Sequence, residues 1–245
     1  MSSDGRSGRG NPRRPGRTDN TAGVRKVRTK RYHHGDLRAT LLRTVGEIIA
    51  ERGVAEVSLR EVARRAQVSH GAPAHHFRNK AALVTAFAAQ GFDQMVAAVE
   101  QLPAYGEARS GPEELAGTGR GYVRFALAHP AHFAIMFDSA ELDGSDPAYR
   151  EASNRAYALL TRAIERCVRE GRLRPSEVGP ATVASWSLVH GFASLWIGGR
   201  LGHRSGTATD ATHATHGGRA GPSAAALALA DAAIDLFVDR LVGMM

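Results

Sequence analysis

The 245-residue chain has a single cysteine, Cys167, which excludes a disulfide framework and any cysteine-based zinc site. Lysine is nearly missing as well: arginine outnumbers it 29 to 3, a bias that fits GC-rich coding. The first thirty residues lack the apolar run of a secretory leader. With the lone thiol, this predicts a reducing, cytoplasmic setting. No segment alternates apolar and polar residues as a half-buried strand does, and helical spacing recurs instead. The expected fold is therefore all-α. No Ser/His/Asp triad or paired carboxylates can be singled out, so an enzyme is not expected. His33-His34, His75-His76 and the trio His203, His213 and His216 invite a metal hypothesis, but none has a carboxylate or cysteine at ligand spacing. No metal and no cofactor are expected.

What charge there is has a telling distribution. The net charge is +8, and residues 1–31 hold ten Lys or Arg against Asp4 and Asp19, a surplus that accounts for all of it. The remaining chain is neutral overall. A leader rich in Gly, Pro, Ser and Arg buries too little apolar surface to fold alone. It reads either as a solvated tail or as a basic arm for DNA, and Arg28, Lys30 and Arg31, just before the first helix, are the candidates for contact.

The most informative segment runs from Ser58 to Lys80. Ser58 followed by Glu61 is a capping-box pair, which predicts a helix from Leu59 with Leu59, Val62, Ala63 and Ala66 on one face. Gln67 and Val68 make the turn. Ser69 is then placed to cap a second helix exposing His70, Ala72, His75 and His76, with Phe77 turned inward. The small Ala63 lets the two helices cross closely. Two short capped helices around a tight turn form the helix-turn-helix unit that reads DNA, with an ordinary helical hairpin as the bland alternative.

Further along, helical spacing predicts helices over residues 37–52, ended by Gly53, over 80–101, from Pro112 to His129, over 131–138, over 147–171, around Trp186 and Trp196, and over 222–242. The uncharged run from Ala181 to Gly199 is long enough to span a bilayer, but its serines, His190 and glycines fit a helix buried in a bundle, so no membrane partner is expected. Gly117, Gly119 and Gly121 imitate a phosphate loop without its strand or lysine, and are read as loosening their helix. Cys167 is read as a small buried apolar residue, with a redox sensor as the alternative. The last helix has a stripe of Leu227, Ala230, Ile234, Phe237 and Leu241, which either forms a dimer seam or completes its own core.

The segments Tyr32 to Arg38, Ser58 to Ala63, Val68 to Pro73 and His76 to Leu83 together resemble the DNA-binding head of the TetR/AcrR family of transcriptional regulators. A weaker likeness, over 122–137 and 186–196, is to the C-terminal domain named for its Trp-His-Gly residues, here Trp186, His190 and Gly191. The resemblance implies a three-helix head over 32–80 and an effector-binding and dimerisation bundle over 81–245, about nine helices in all. It implies a homodimeric, sequence-specific regulator of double-stranded, palindromic DNA, most simply a repressor released by a small molecule. Carried over by position, Ser58, Ser69 and Lys80 match phosphate contacts, and Ala72 and His75 match base-facing positions. Arg60, His70, Gly71 and His76 complete the candidate surface. The chain departs from the pattern at Ala74, where many relatives have a phosphate-gripping tyrosine, and at Pro73, within the first turn of the reading helix.

The candidate effector groups are Phe125, Phe133, Met136, Tyr157, Trp186, His190 and Trp196, which point to a hydrophobic or aromatic ligand. A buried His190 needs a partner, either a ligand polar group or a backbone carbonyl. Protonation of His75 and His76 below about pH 6.5 predicts mildly tighter DNA binding in acid. Three alternatives stay open: a regulator without an effector or an activator, a metal-binding sensor or enzyme, and a nonspecific basic DNA coater.

Overall fold

Helices account for every regular element in the computed structural model of the protein, which describes residues 34–103, 106, 109–137, 140–201 and 222–243. Among them are eight α-helices: α1 (His34–Arg52), α2 (Leu59–Arg65), α3 (Lys80–Glu100), α4 (Gly111–Ala128), α5 (Pro130–Met136), α6 (Pro147–Arg169), α7 (Val178–Ile197) and α8 (Ala224–Val242). Single 3₁₀ turns span Val54–Glu56, Pro73–His75 and Pro175–Glu177. Arg28, Lys30, Arg31, His33, His203, His213 and His216 lie outside the described residues.

Local chemistry sets most of these boundaries. Asn79 caps α3 by accepting from the Ala82 N–H at 2.8 Å, and Asp146 caps α6 through the Tyr149 N–H at 3.0 Å. At α4 the Ser110 and Glu113 side chains each accept from the other residue's backbone N–H, a complete capping box. Gly53 ends α1 at φ 84°, where an L side chain would be strained.

The head differs from expectation in two respects. Ser58 caps α2, accepting from the Glu61 N–H at 3.1 Å, but Glu61 does not return the bond. Its carboxylate is taken by Arg52 at 2.7 Å, Arg64 at 2.8 Å and Arg65 at 3.0 Å. Three guanidiniums outcompete one backbone N–H because each brings a full charge.

The second difference is larger. The helix expected over His70 to His76 is a turn followed by one 3₁₀ turn at Pro73–His75, and this accounts for eight α-helices where about nine were expected. Pro73 has no N–H, and the first α-helical bond from a Ser69 cap would have come from residue 73. The Ser69 carbonyl accepts instead from Ala72 at 3.0 Å, and the i→i−3 pattern continues through Ala74 to Gly71 at 3.1 Å and His76 to Pro73 at 3.0 Å. One α-type bond, Phe77 to Pro73 at 2.9 Å, closes the segment and turns Phe77 into the core.

One apolar core runs from head to body. α1 contributes Leu41, Leu42, Val45 and Ile48, and α3 passes through both regions with Leu83, Val84, Phe87, Phe92 and Met95. α3 is long and apolar enough to cross a membrane by composition, and here it is the central core helix. The glycines of α4 permit close packing: a Cβ at Gly121 would stand 2.6 Å from the Val99 side chain, and one at Gly119 3.3 Å from Val189. Gly111 likewise seats α4 on Cys167, which is fully buried, its thiol pushed up to about 11 by burial. That burial argues against a redox sensor.

Candidate functional site

The segment from Ser58 to Lys80 presents a polar outer surface on an apolar base. Val62, Ala63, Pro73 and Phe77 are buried beneath it. Above, Ser58, Arg60, Ser69, His70, Gly71 and His75 are exposed, while Ala72, His76 and Lys80 are half-buried. None of the nine described residues expected to face DNA is buried.

Its base is braced by charge. Besides the three arginines on Glu61, Arg65 donates to Glu51 on α1 at 2.6 Å. The Glu61 carboxyl is lowered to about 2, first by Arg64, with burial opposing and Arg65 and Arg52 adding. The turn after α2 is a Schellman closure, with Val68 N–H donating to the Ala63 carbonyl at 3.1 Å and Gln67 N–H to Arg64 at 3.3 Å. Gln67 holds the left-handed position at φ 56°, which glycine usually takes.

Two acidic residues of the segment between α5 and α6 reach back to this surface. Arg78 donates to Asp143 at 2.7 Å, and Lys80 Nζ lies 3.2 Å from Glu141. The Asp143 backbone N–H donates to Thr85 Oγ1 at 2.9 Å, which pins the segment to α3. Lys80, expected to hold a phosphate, has an internal acidic partner. Sequence reasoning missed this latch, although the acidic stretch 141–146 was visible.

The body encloses a cavity of about 300 Å³ between α3, α4, α6, α7 and α8, with Phe137 from the end of α5. Phe92, Met95, Leu115, Tyr122, Phe137 and Tyr149 line it beside Ser185, Ile234 and Phe237. Tyr157, 51% exposed, and Trp186, 42% exposed, line its solvent side. Of the seven expected effector residues these two reach the wall. Phe125, Phe133 and Met136 are buried in the core behind it, and Trp196 stacks on Phe192 with ring centres 5.9 Å apart. The wall residues from α3 and α6 went unnoticed because nothing distinguishes them in sequence from core.

His190 stands one layer back. Its Nδ1 lies 2.8 Å from the Tyr122 hydroxyl, so that nitrogen has a side-chain partner. Burial lowers the His190 pKa, which favours the neutral imidazole. Phe133 and Phe137 rings flank it at 5.2 and 5.0 Å.

The α8 stripe is divided. Ala230 and Ile234 are buried within the chain, Phe237 lines the cavity, and Leu227 and Leu241 are half-buried. The outward face of α8 has Leu229 and Leu236, the latter 62% exposed, and α7 exposes Val183 and Leu195. The uncharged run in α7 is therefore buried on one face only. Among the described residues no three His, Cys, Asp or Glu are grouped to hold a metal.

The family model for bacterial regulatory proteins of the tetR family matches residues 41–87, and that for the Tetracyclin repressor-like C-terminal domain matches 115–217. The chain belongs to the TetR family of transcriptional regulators. This TetR-family regulator is similar, at 29% identity and a TM-score of 0.66, to a protein of unknown function from Rhodococcus sp. RHA1, over 87% of this chain and 97% of that one. A tetR-family regulatory protein from Rhodococcus RHA1 shares the fold at 21% identity and TM-score 0.59, over 84% and 96% of the two chains. The transcriptional regulator FadR from Bacillus subtilis, solved with stearoyl-CoA, shares it at 15% identity and TM-score 0.57, over 84% and 98%. No curated protein matches. The TetR-family domains identify the chain as a DNA-binding transcriptional regulator.

Proposed function

We propose that the regulator is a homodimeric repressor whose residues 58–80 read a palindromic operator and which a small molecule in the body cavity releases. The observation that carries this reading is that one region of the chain meets both cavity and head: Phe137 lines the cavity, and Glu141 and Asp143 pair with Lys80 and Arg78. A ligand that displaces Phe137 repositions the acidic segment against two cations beside the reading surface. Such a ligand must bind the released arrangement more tightly than the DNA-bound one, since equal affinity would shift nothing. That FadR was solved with stearoyl-CoA supports a ligand-responsive body for this fold.

The dimer reading rests on the outer faces of α7 and α8. Val183, Leu195, Leu229 and Leu236 leave apolar surface uncovered. Gly191 sits mid-helix with nothing within 4 Å of where its Cβ would be, so its own chain does not require a glycine there. A close-approaching partner helix would. Arg60, His70, Gly71, Ala72, His75 and His76 are the groups assigned to DNA. Arg28, Lys30 and Arg31 are assigned to the same partner as a basic arm.

The test is selection of bound fragments from a random DNA pool, followed by footprinting with and without candidate ligands. Recovery of a two-fold symmetric site, freed by a ligand of the cavity, supports the reading. A site freed by none favours an effector-independent regulator.

A further inference from the structure

Three buried hydroxyls in this protein do what helix hydroxyls commonly do and donate to the carbonyl four residues back: Thr44 to Thr40 at 2.9 Å, Thr118 to Glu114 at 2.9 Å, and Thr182 to Val178 at 2.7 Å. Ser185, 7% exposed on α7 and on the cavity wall, does not. Its Oγ has no hydrogen-bond partner. Other wall hydroxyls have partners: Tyr122 pairs with His190 at 2.8 Å, and Tyr149 donates to the Met136 carbonyl at 3.0 Å. A buried hydroxyl without a partner is costly, and Ser185 belongs to the wall of a preformed cavity, where rotation of its side chain would bring the hydroxyl to a ligand atom.

Among the described residues the wall carries no charge. Charges on the enclosing helices face one another: Glu114 with Arg162 and Arg166, Arg120 with Asp231 and Asp235, Arg124 with Asp231, and Arg155 with Asp93 and Glu151. An ionic ligand head would enter without a counter-charge, which desolvation disfavours strongly.

We infer that the cavity takes an uncharged, mainly apolar molecule that sets one hydroxyl or carbonyl oxygen against Ser185. This rests on the reading of the cavity as the effector site and narrows it. Ligands that must bring a carboxylate or phosphate inside the cavity are disfavoured, and alcohols, phenols and ketones fit. A serine hydroxyl turns about a single bond and both donates and accepts, so it serves either oxygen type.

The experiment titrates the full-length protein with 1-decanol, decanoate and decylammonium, and with 2-naphthol and 2-naphthoate, following tryptophan fluorescence and calorimetry. The alcohol and the phenol are expected to bind at least about tenfold more tightly than their charged counterparts. Ser185→Ala is expected to weaken 1-decanol or 2-naphthol by about threefold to tenfold. Thr161→Ala, on α6 outside the wall and bonded to the Ala158 carbonyl at 3.3 Å, should leave both unchanged. Equal binding of an ion and its neutral counterpart, or an unaltered Ser185→Ala affinity, overturns the assignment while leaving the cavity as effector site. Failure of all five compounds to bind removes both.

Discussion

The Arg78 guanidinium donates to the Asp143 carboxylate at 2.7 Å across 65 residues of sequence, tying the end of the reading segment to the acidic link before α6. Ser145 holds the Asp143 carboxyl below the usual carboxylate range, with Arg78 adding to the effect, so the pair is ionised at neutral pH. DNA phosphates would compete for the same guanidinium.

Asp143→Asn should therefore free Arg78 for phosphate. Operator affinity is expected to rise about threefold to tenfold, and the slope of log K against log salt to steepen by up to about 0.9. Anisotropy titrations between 50 and 200 mM salt read both quantities. An unchanged slope would separate the latch from DNA binding.

Gln67→Gly should stabilise the protein by about 0.5–1 kcal/mol, because the left-handed backbone costs glutamine more than the freer glycine loses in entropy. The gain appears as a rise in melting temperature with DNA affinity unaltered.

Gly121→Ala should do the reverse. Its Cβ would meet the Val99 side chain at 2.6 Å and the Val99 Cα at 2.8 Å, so α3 and α4 must part, at a cost of about 1–3 kcal/mol. Gly191→Ala meets no such obstacle within the chain. Replacing a mid-helix glycine should stabilise an isolated protomer by up to about 1 kcal/mol, whereas in the proposed dimer it should weaken association, measurable by sedimentation.

How much of this was legible in the sequence depended on range. The cap at Ser58, the helix start at Pro112, the Gly53 stop and the helical stripes are local signals, and the helices start and end close to where those signals place them. The 3₁₀ turn at Pro73 was foreshadowed by a missing N–H, but its consequence was underestimated: without the bond to Ser69 no α-helix forms over 70–76. The cavity was the least legible part. Tyr157 and Trp186 were found because large aromatics stand out, while Met95, Leu115 and Ile234 look like any core residue until the helices meet. The α8 stripe was left open between a dimer seam and the chain's own core, and it is divided: Ala230 and Ile234 are buried within the chain, and the exposed Leu229 and Leu236 lie off that stripe.

Acid should weaken the fold in two stages. His132 stacks on Phe87 at 3.8 Å, and burial lowers its pKa to about 4, with His129 adding. Burial lowers His129 and His190 too. A group depressed in the folded state stabilises it above the unfolded pKa and loses that contribution as pH falls through the folded one. Stability should drop from about pH 6.5 to 4, with His132 contributing on the order of 2–3 kcal/mol. The Glu61 cluster follows the same sign at lower pH, lost from about 4.5 down towards 2. Urea denaturation across pH 8 to 3 checks both stages, and His132→Gln should flatten the upper one.

The most direct test of the central claim is fragment selection with the native protein and with an Ala72→Glu, His75→Glu double variant, both shown by circular dichroism to be folded. The account predicts that the native protein recovers a two-fold symmetric sequence and the variant none. Recovery of the same sequence by the variant would contradict the assignment of residues 58–80 as the reading surface.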